Sequence, residues 1–188
     1  IDLVRFLTKA GAQVTVSDAR SADTLGDALA AIEDTGATLS LGANRVEDTI
    51  HADYVFASQG VPQQLPALAE ARAAGVPVSS MTDLFLRLCP SLTVGVTGTK
   101  GKTTTSSLTA AVLAGGADPV LLGGNIGTPL VERLPELTPR HRVVLELSEL
   151  QLPTLSRGTQ VALYTHITSD HLDRHGTVAA YRAVKRRL

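Results

Sequence analysis

The stretch from Val94 to Thr105, VGVTGTKGKTTT, passes from apolar residues into a glycine-rich run and ends on a lysine followed by threonines. This order predicts a β-strand, then a loop that binds phosphate, then a helix. Glycines let successive backbone N–H groups point at one anion, and the start of a helix favours negative charge. A glycine-rich turn capped by threonine is the structural alternative. Because a strand precedes the run and a helix follows it, we predict a nucleotide-phosphate site made of Gly98, Thr99, Lys100, Gly101, Lys102, Thr103 and Thr104.

The loop departs from the general pattern G-x-x-x-x-G-K-[ST] at its first glycine. That pattern places a glycine at position 96, where this chain has Val96 and carries Gly95 one residue earlier. In such loops the lysine, here Lys102, reaches the outer phosphates, and the following hydroxyl, here Thr103, binds magnesium. We therefore expect a variant phosphate loop that takes a nucleotide together with Mg²⁺.

Helices and strands alternate along the whole chain, which predicts an α/β fold with two parallel-sheet domains. We place an N-terminal Rossmann-like domain at residues 1–90, lacking its first strand, and a truncated central ATPase domain of the P-loop type at residues 91–188. The boundary falls at Cys89-Pro90-Ser91. The chain opens on Ile1 inside a helical pattern and stops inside another, so we expect a fragment of a longer protein.

The second half carries the clearest elements. Nearly continuous apolar runs at 142–148 and 161–167 predict two central strands covered on both faces. Helices are expected at 102–114, 129–134 and 178–188.

Composition narrows the class of protein. Of 188 residues, 44% are hydrophobic and 19% charged, and the net charge of −1 gives no support for binding nucleic acid or an anionic membrane. A single cysteine, Cys89, excludes an intrachain disulfide framework and fits a reducing compartment. No apolar run approaches the length of a membrane span. We expect a cytoplasmic monomer that acts on small molecules.

Several polar residues are candidates for binding ligands. Glu146 ends an apolar strand, where α/β proteins bind ligands, and we favour a magnesium ligand over a salt bridge. Asp18 also ends a strand, and the sequence leaves open a ribose ligand or a helix N-cap. The segment 165–176 contains His171 among acids, which indicates either a polar loop or a metal site beside the phosphates; no cysteine or H-E-x-x-H pattern supports zinc. Lys185 lies among arginines in a predicted helix, and the alternative to a functional role is a lysine exposed to solvent.

Together, six segments resemble the Mur ligases and folylpolyglutamate synthetases. The loop VTGTKGKTT indicates this superfamily, and the other five follow at suitable spacing: VTVSDAR at 14–20, ASQGVP at 57–62, GGNIGTPL at 123–130, LELSELQL at 145–152 and SDHLDRH at 169–175. The pair GGNIG and ELSxxQL favours the Mur branch that adds D-glutamate.

The resemblance implies roles for individual residues. The first domain would bind the uridine diphosphate part of a substrate through Asp18, Arg20 and Gly60. In the second domain the resemblance implies metal ligands at Thr103, Glu146, His171 and Lys185, catalytic roles for Lys102, Lys185 and His171, and contacts to substrate or phosphate from Asn125, Ser148 and Gln151. Lys185 matches a lysine that this family carbamylates.

The reaction implied by the resemblance is ATP-dependent. A carboxylate of UDP-N-acetylmuramoyl-L-alanine would take the γ-phosphoryl group, and the amine of D-glutamate would displace phosphate to form an amide in peptidoglycan precursor synthesis. The alternatives are a sibling Mur ligase, an enzyme like folylpolyglutamate synthetase, or a nucleotide-binding module without catalysis. Lys100 and Glu149-Leu150 depart from the family pattern, and the amino-acid-binding third domain is absent, so we expect the fragment alone to be inactive.

Overall fold

The computed structural model describes residues 1–127, 129–170 and 172–188, and the side chains of these except at 172 and 173. The chain divides into two compact units, Ile1–Met81 and Thr82–Leu188. Both contain parallel β-sheets with helices between the strands, so the α/β prediction with two parallel-sheet domains is confirmed. The predicted domain boundary near residue 90 stays a prediction.

The first unit holds two pairs of parallel strands. Strand β1 pairs with β2, and β3 pairs with β4. The elements in chain order are α1 (Asp2–Lys9), β1 (Thr15–Asp18), α2 (Ala22–Ala30), a 3₁₀ helix (Glu33–Thr35), β2 (Thr38–Leu41), α3 (Glu47–Ile50), β3 (Val55–Phe56), α4 (Pro66–Ala73) and β4 (Val78–Ser79). Strand β2 was not predicted.

The second unit contains a four-stranded parallel sheet in the order β6-β7-β5-β8. Its elements are α5 (Met81–Leu88, which begins at the last residue of the first unit), β5 (Leu92–Thr97), α6 (Lys102–Ala114), β6 (Val120–Gly124), a 3₁₀ helix (Val131–Glu136), β7 (Arg142–Glu146), a 3₁₀ helix (Leu152–Thr154), β8 (Val161–Tyr164), α7 (Leu172–His175) and α8 (Val178–Lys185). Val94, Val96, Ala110 and Val144 pack together in its core.

Two predictions about this unit are wrong. An α-helix was expected at 129–134, but the chain forms the 3₁₀ helix Val131–Glu136, which contains Pro135; proline has no N–H to continue an α-helix. The run 161–167 was expected to be a central strand, yet β8 ends at Tyr164 and lies at the edge of the sheet. Val161 is 41% exposed and Tyr164 47% exposed, so apolar composition alone did not locate this strand in the core.

Within the described ranges, no helix combines the length and the apolar character needed to cross a membrane.

Candidate functional site

The phosphate loop connects the end of β5 to the start of α6. Gly101 is the N-cap of α6 and has a φ of +84°, a left-handed conformation that glycine adopts without strain. Gly98 lies against Thr165, whose Oγ1 would overlap a Cβ at position 98. The chain therefore needs glycine at 101 for backbone conformation and at 98 for space, and the loop delivers the free N–H groups of an α-helix start.

The segment after β8 holds the loop from one side. The backbone N–H of Thr99 donates to the carbonyl of His166 at 2.9 Å. The hydroxyl of Thr165 donates to the carbonyl of Lys100 at 2.7 Å. The segment after β8 thus fixes the loop backbone through main-chain and side-chain hydrogen bonds.

The two residues that begin α6 direct their polar groups to different partners. Lys102 Nζ donates to the carbonyl of Thr99 at 3.0 Å, so the ammonium group lies over the loop. The hydroxyl of Thr103 donates to Glu146 Oε2 at 2.7 Å. The predicted magnesium ligands Thr103 and Glu146 are therefore in direct contact.

Glu146 ends β7, where it lies between Val96 of β5 and Gly124 of β6. Glu146 is 2% exposed, and its Oε1 accepts a hydrogen bond from Asn125 Nδ2 at 2.9 Å. Asn125 also donates its backbone N–H to the Glu146 carbonyl at 2.8 Å. Both side-chain donors are neutral, so a nearby cation would balance the buried carboxylate charge, and carboxylate and hydroxyl oxygens are ligands that Mg²⁺ accepts. The residues present fit that ion.

Lys185 lies in the interior, so the alternative of a solvated helix lysine is wrong, while its predicted roles as metal ligand and catalytic residue stay predictions. It is 0% exposed, and Nζ donates to the hydroxyl of Thr97 at 3.2 Å. Burial lowers the pKa of Lys185 to about 8, against the opposing effects of the Glu149 and Asp170 carboxylates. Lys102 contributes a smaller lowering. The amine is therefore more often neutral near pH 7 than that of an exposed lysine.

Tyr181, one helical turn before Lys185, also faces the loop. It is 1% exposed, its hydroxyl lies 3.2 Å from Thr99 Oγ1, and Lys185 Nζ lies 5.1 Å from its ring centroid. Burial raises the pKa of the Tyr181 hydroxyl, which remains a hydrogen-bond donor at neutral pH. Tyr181 was not predicted from the sequence; its place four residues before a lysine was the available signal.

Ser148 and Gln151 are engaged within the protein. Gln151 Oε1 accepts from the Ser148 backbone N–H at 2.9 Å and lies 3.1 Å from the Ser148 hydroxyl. Its Nε2 donates to Thr82 Oγ1 at 3.2 Å, and all three residues are buried. The predicted substrate contacts of Ser148 and Gln151 stay predictions, while the geometry gives Gln151 a role in fixing the turn after β7.

Glu149, one of the departures from the family pattern, is 8% exposed. Its Oε1 lies 3.9 Å from Arg174 Nη1. The extra carboxylate therefore lies beside the segment that follows β8. His171, predicted to bind metal, lies outside the described residues. Among the residues that are described, no group of three or more histidine, cysteine, aspartate or glutamate side chains is arranged to hold a metal ion.

In the first unit, Asp18 and Arg20 form one cluster. Asp18 accepts from the backbone N–H, Nε and Nη2 of Arg20 at 2.9, 3.0 and 2.8 Å. These bonds lower the pKa of Asp18 to about 2. The N-cap of α2 is Ser21, so the alternative of Asp18 as its cap is wrong. Gly60 occupies an exposed turn after β3, and a joint ligand for the three residues stays a prediction.

The second unit combines a phosphate loop with a buried glutamate at the end of the neighbouring parallel strand, and another parallel-sheet unit precedes it in the chain. These features are typical of nucleotide-binding α/β proteins. The model of the Mur ligase MurD-like N-terminal domain matches residues 1–80, and that of the Mur ligase middle domain matches residues 96–188. The chain belongs to the Mur ligase family.

Several of the similar proteins are bacterial ligases that share the same name. The UDP-N-acetylmuramoylalanine–D-glutamate ligase of Symbiobacterium thermophilum is 36% identical over 186 residues, covering 99% of this chain and 41% of that protein. The ligase of the same name from Roseiflexus sp. is 40% identical over 189 residues, again covering 99% and 41%. This chain thus spans about two fifths of the length of these curated relatives.

A solved structure shares the fold. The UDP-N-acetylmuramate:L-alanyl-gamma-D-glutamyl-meso-diaminopimelate ligase from Neisseria meningitides aligns with a TM-score of 0.55 and 22% identity, covering 99% of this chain and 63% of that one.

Proposed function

We propose that the protein carrying this chain is an ATP-dependent ligase that joins D-glutamate to UDP-N-acetylmuramoyl-L-alanine. The names of relatives that match almost the whole chain support this substrate pair. In this proposal the first unit binds the uridine diphosphate part through Asp18, Arg20 and Gly60. The second unit binds ATP, and the enzyme acts in the cytoplasm.

The observation that carries the proposal is the contact between Thr103 and Glu146. The loop hydroxyl and the strand-end carboxylate come from positions 43 residues apart and meet at 2.7 Å. Asn125 secures the other carboxylate oxygen. A structural salt bridge would place a cation of the protein here, whereas the described donors are a hydroxyl and an amide, which leaves the charge available to a metal–nucleotide complex.

In the reaction we propose, a carboxylate oxygen of the substrate bonds to the γ-phosphorus of ATP as the bond to ADP breaks. The amine nitrogen of D-glutamate then bonds to the acyl carbon, inorganic phosphate leaves, and the nitrogen loses a proton. In the first step a carboxylate approaches the negatively charged triphosphate, and in the second step an amine attacks the acyl phosphate. The loop N–H groups and Lys102 must therefore neutralise the negative charge of the phosphate oxygens. Mg²⁺ held by Thr103 and Glu146 would add further neutralisation as a Lewis acid.

Lys185 is proposed to carry a carbamate, as the family resemblance implies. Carbamylation joins CO₂ to the neutral amine with loss of a proton, which replaces a cation by a carboxylate with hard oxygen atoms. The burial of Lys185 and its lowered pKa support the neutral form that this reaction needs. Carbon-13 NMR after exchange with labelled bicarbonate should show a carbamate signal that Lys185→Ala lacks; the same signal in both proteins would contradict the assignment.

The test of the function is substrate-dependent release of phosphate from ATP. The full-length protein should release phosphate only when UDP-N-acetylmuramoyl-L-alanine and D-glutamate are both present. Equal turnover with L-lysine or diaminopimelate would assign it to a sibling ligase, and no turnover with any amino acid would leave a nucleotide-binding module.

A matched pair of variants tests the metal assignment. Thr103→Ser keeps the hydroxyl and should retain most activity. Thr103→Val keeps the shape but removes the oxygen, and should raise the Mg²⁺ concentration needed for half-maximal rate. Equal Mg²⁺ dependence of the two variants would remove Thr103 from the metal site.

A further inference from the structure

Helix α8 contacts the phosphate loop at two points that flank a single glycine. Tyr181 and Lys185 are four residues apart and therefore lie on one face of the helix. The Tyr181 hydroxyl meets Thr99 Oγ1, and Lys185 Nζ meets Thr97 Oγ1, each at 3.2 Å. Residues 97 and 99 are the neighbours of Gly98, so α8 holds the chain on both sides of the residue where strand becomes loop.

The hydroxyl of Thr99 is a junction for three elements. It accepts from the backbone N–H of Thr168 at 3.1 Å, and it lies 3.4 Å from the Thr168 carbonyl, to which it can donate. A hydroxyl has one hydrogen and two lone pairs, so this set is complete when Tyr181 donates to Thr99. Tyr181 thereby fills the last hydrogen-bonding position of Thr99.

The contact extends to the lysine of the loop through the backbone. The carbonyl of Thr99 accepts from Lys102 Nζ at 3.0 Å. Thr99 thus joins the Tyr181 contact on its side chain to the Lys102 contact on its backbone, so a backbone shift at residue 99 would move the support of the ammonium group. Among the contacts of the described residues, the Tyr181 hydroxyl reaches the loop at Thr99.

We infer that Tyr181 is a positioning residue that sets the phosphate loop for nucleotide through Thr99. The inference rests on the proposed function, because it assumes that the loop binds ATP. Tyr181 holds the loop in its binding shape in the free protein, which reduces the ordering that must accompany binding. Its loss weakens ATP binding more than it slows the chemical steps.

The experiment compares Tyr181→Phe with Tyr164→Phe in the full-length protein. Tyr164 is 47% exposed on β8, so Tyr164→Phe makes the same chemical change at an exposed position. Loss of one hydrogen bond predicts that Tyr181→Phe raises the KM for ATP about threefold to tenfold while kcat and the KM for D-glutamate stay within twofold. Tyr164→Phe should match the wild type, and thermal unfolding shows whether each variant is folded.

A double-mutant cycle separates positioning through Thr99 from a general effect on the fold. Thr99→Val removes the hydroxyl that meets Tyr181 and should raise the KM for ATP. The double variant Tyr181→Phe/Thr99→Val should bind ATP no worse than about twofold beyond the weaker single variant. Additive effects, or an unchanged KM in Tyr181→Phe, would overturn the inference.

Failure of the proposed function gives a different result. If the wild type shows no ligase turnover, the dissociation constant of a non-hydrolysable ATP analogue with Mg²⁺, measured by calorimetry on the same variants, replaces KM. Weaker analogue binding in Tyr181→Phe would then uphold the positioning role while the ligase assignment fails. A wild type that turns over ATP, with Tyr181→Phe indistinguishable from it, would reject the positioning role alone. A wild type that binds no nucleotide would reject both.

Discussion

Replacing Gly124 by alanine tests whether the end of β6 must approach β7 as closely as the structure has it. Gly124 has a φ of +100° and pairs with Glu146. A Cβ at position 124 would lie 3.1 Å from the Glu146 nitrogen and 3.2 Å from its carbonyl carbon, and closer still to its carbonyl oxygen. All three are backbone atoms, so no side chain can rotate away and the two strands must separate.

Two unfavourable effects add for Gly124→Ala. The left-handed backbone costs an alanine about 1–2 kcal/mol, and forcing an extra carbon into a packed contact costs about 1–3 kcal/mol. The lower entropy of the unfolded chain returns about 0.4–1 kcal/mol. The free energy of unfolding should therefore fall by about 1–4.6 kcal/mol, which urea denaturation resolves as a midpoint shift of about 0.5 M or more.

Gly176 provides the matched control. It has a φ of +72°, and within the described residues no atom lies within 4 Å of a Cβ built there. Gly176→Ala therefore adds backbone strain without crowding and should cost about 1 kcal/mol or less. Losses that agree within about 0.5 kcal/mol for the two variants would refute the argument from close strand approach.

Three further outcomes are expected. Gln151→Leu should lower the free energy of unfolding by about 1–3 kcal/mol, because the buried Ser148 N–H loses its acceptor; a loss below about 0.5 kcal/mol in urea denaturation would contradict this. Arg20→Ala should raise the pKa of Asp18 from about 2 towards 3.8, as followed by NMR titration, and an unmoved pKa would exclude Arg20 as the cause. Burial lowers the pKa of Lys185 from 10.5 to about 8, so the unfolded chain binds more protons within that window and stability rises with pH there; Lys185→Met in CO₂-free buffer should lack this rise between pH 8 and 10, and equal slopes would contradict it.

The phosphate-loop motif and the strand-end carboxylate of Glu146 were predictable because their signals are local. Glycines at fixed spacing before a lysine encode the loop, and a carboxylate at the end of an apolar run encodes Glu146. Strand β5 ends at Thr97 and α6 begins at Lys102, as expected, whereas β7 ends at Glu146, two residues before the end of the predicted run 142–148.

The contacts made by α8 could not be predicted, because they join positions far apart in the chain. Nothing in a four-residue spacing of tyrosine and lysine shows which loop the two side chains meet. The edge position of β8 was missed for a related reason, since an apolar run specifies a strand but not its neighbours. Strand β2, TLSL, alternates polar and apolar residues, but four residues are too few to be recognised as a strand before the partner β1 is known.

One missed contact did have a local signal. Ser148 and Gln151 are spaced as in the helix-start pattern S-x-x-Q, in which the glutamine side chain reaches back to the serine N–H. The structure contains this bond just before the short 3₁₀ helix Leu152–Thr154. The family resemblance directed attention to a ligand role for Gln151, although its spacing already indicated a local one.

The partners of the phosphate loop are made late during synthesis of the chain. Lys185 is synthesised 88 residues after Thr97, and Tyr181 is synthesised 82 residues after Thr99. Parallel strands and contacts between distant residues form slowly, because the chain loses the entropy of closing the intervening segment before the contact stabilises the fold. On the ribosome, the nascent chain would therefore emerge with an unsupported glycine loop, and the nucleotide affinity proposed for this loop would develop only after α8 has left the exit tunnel.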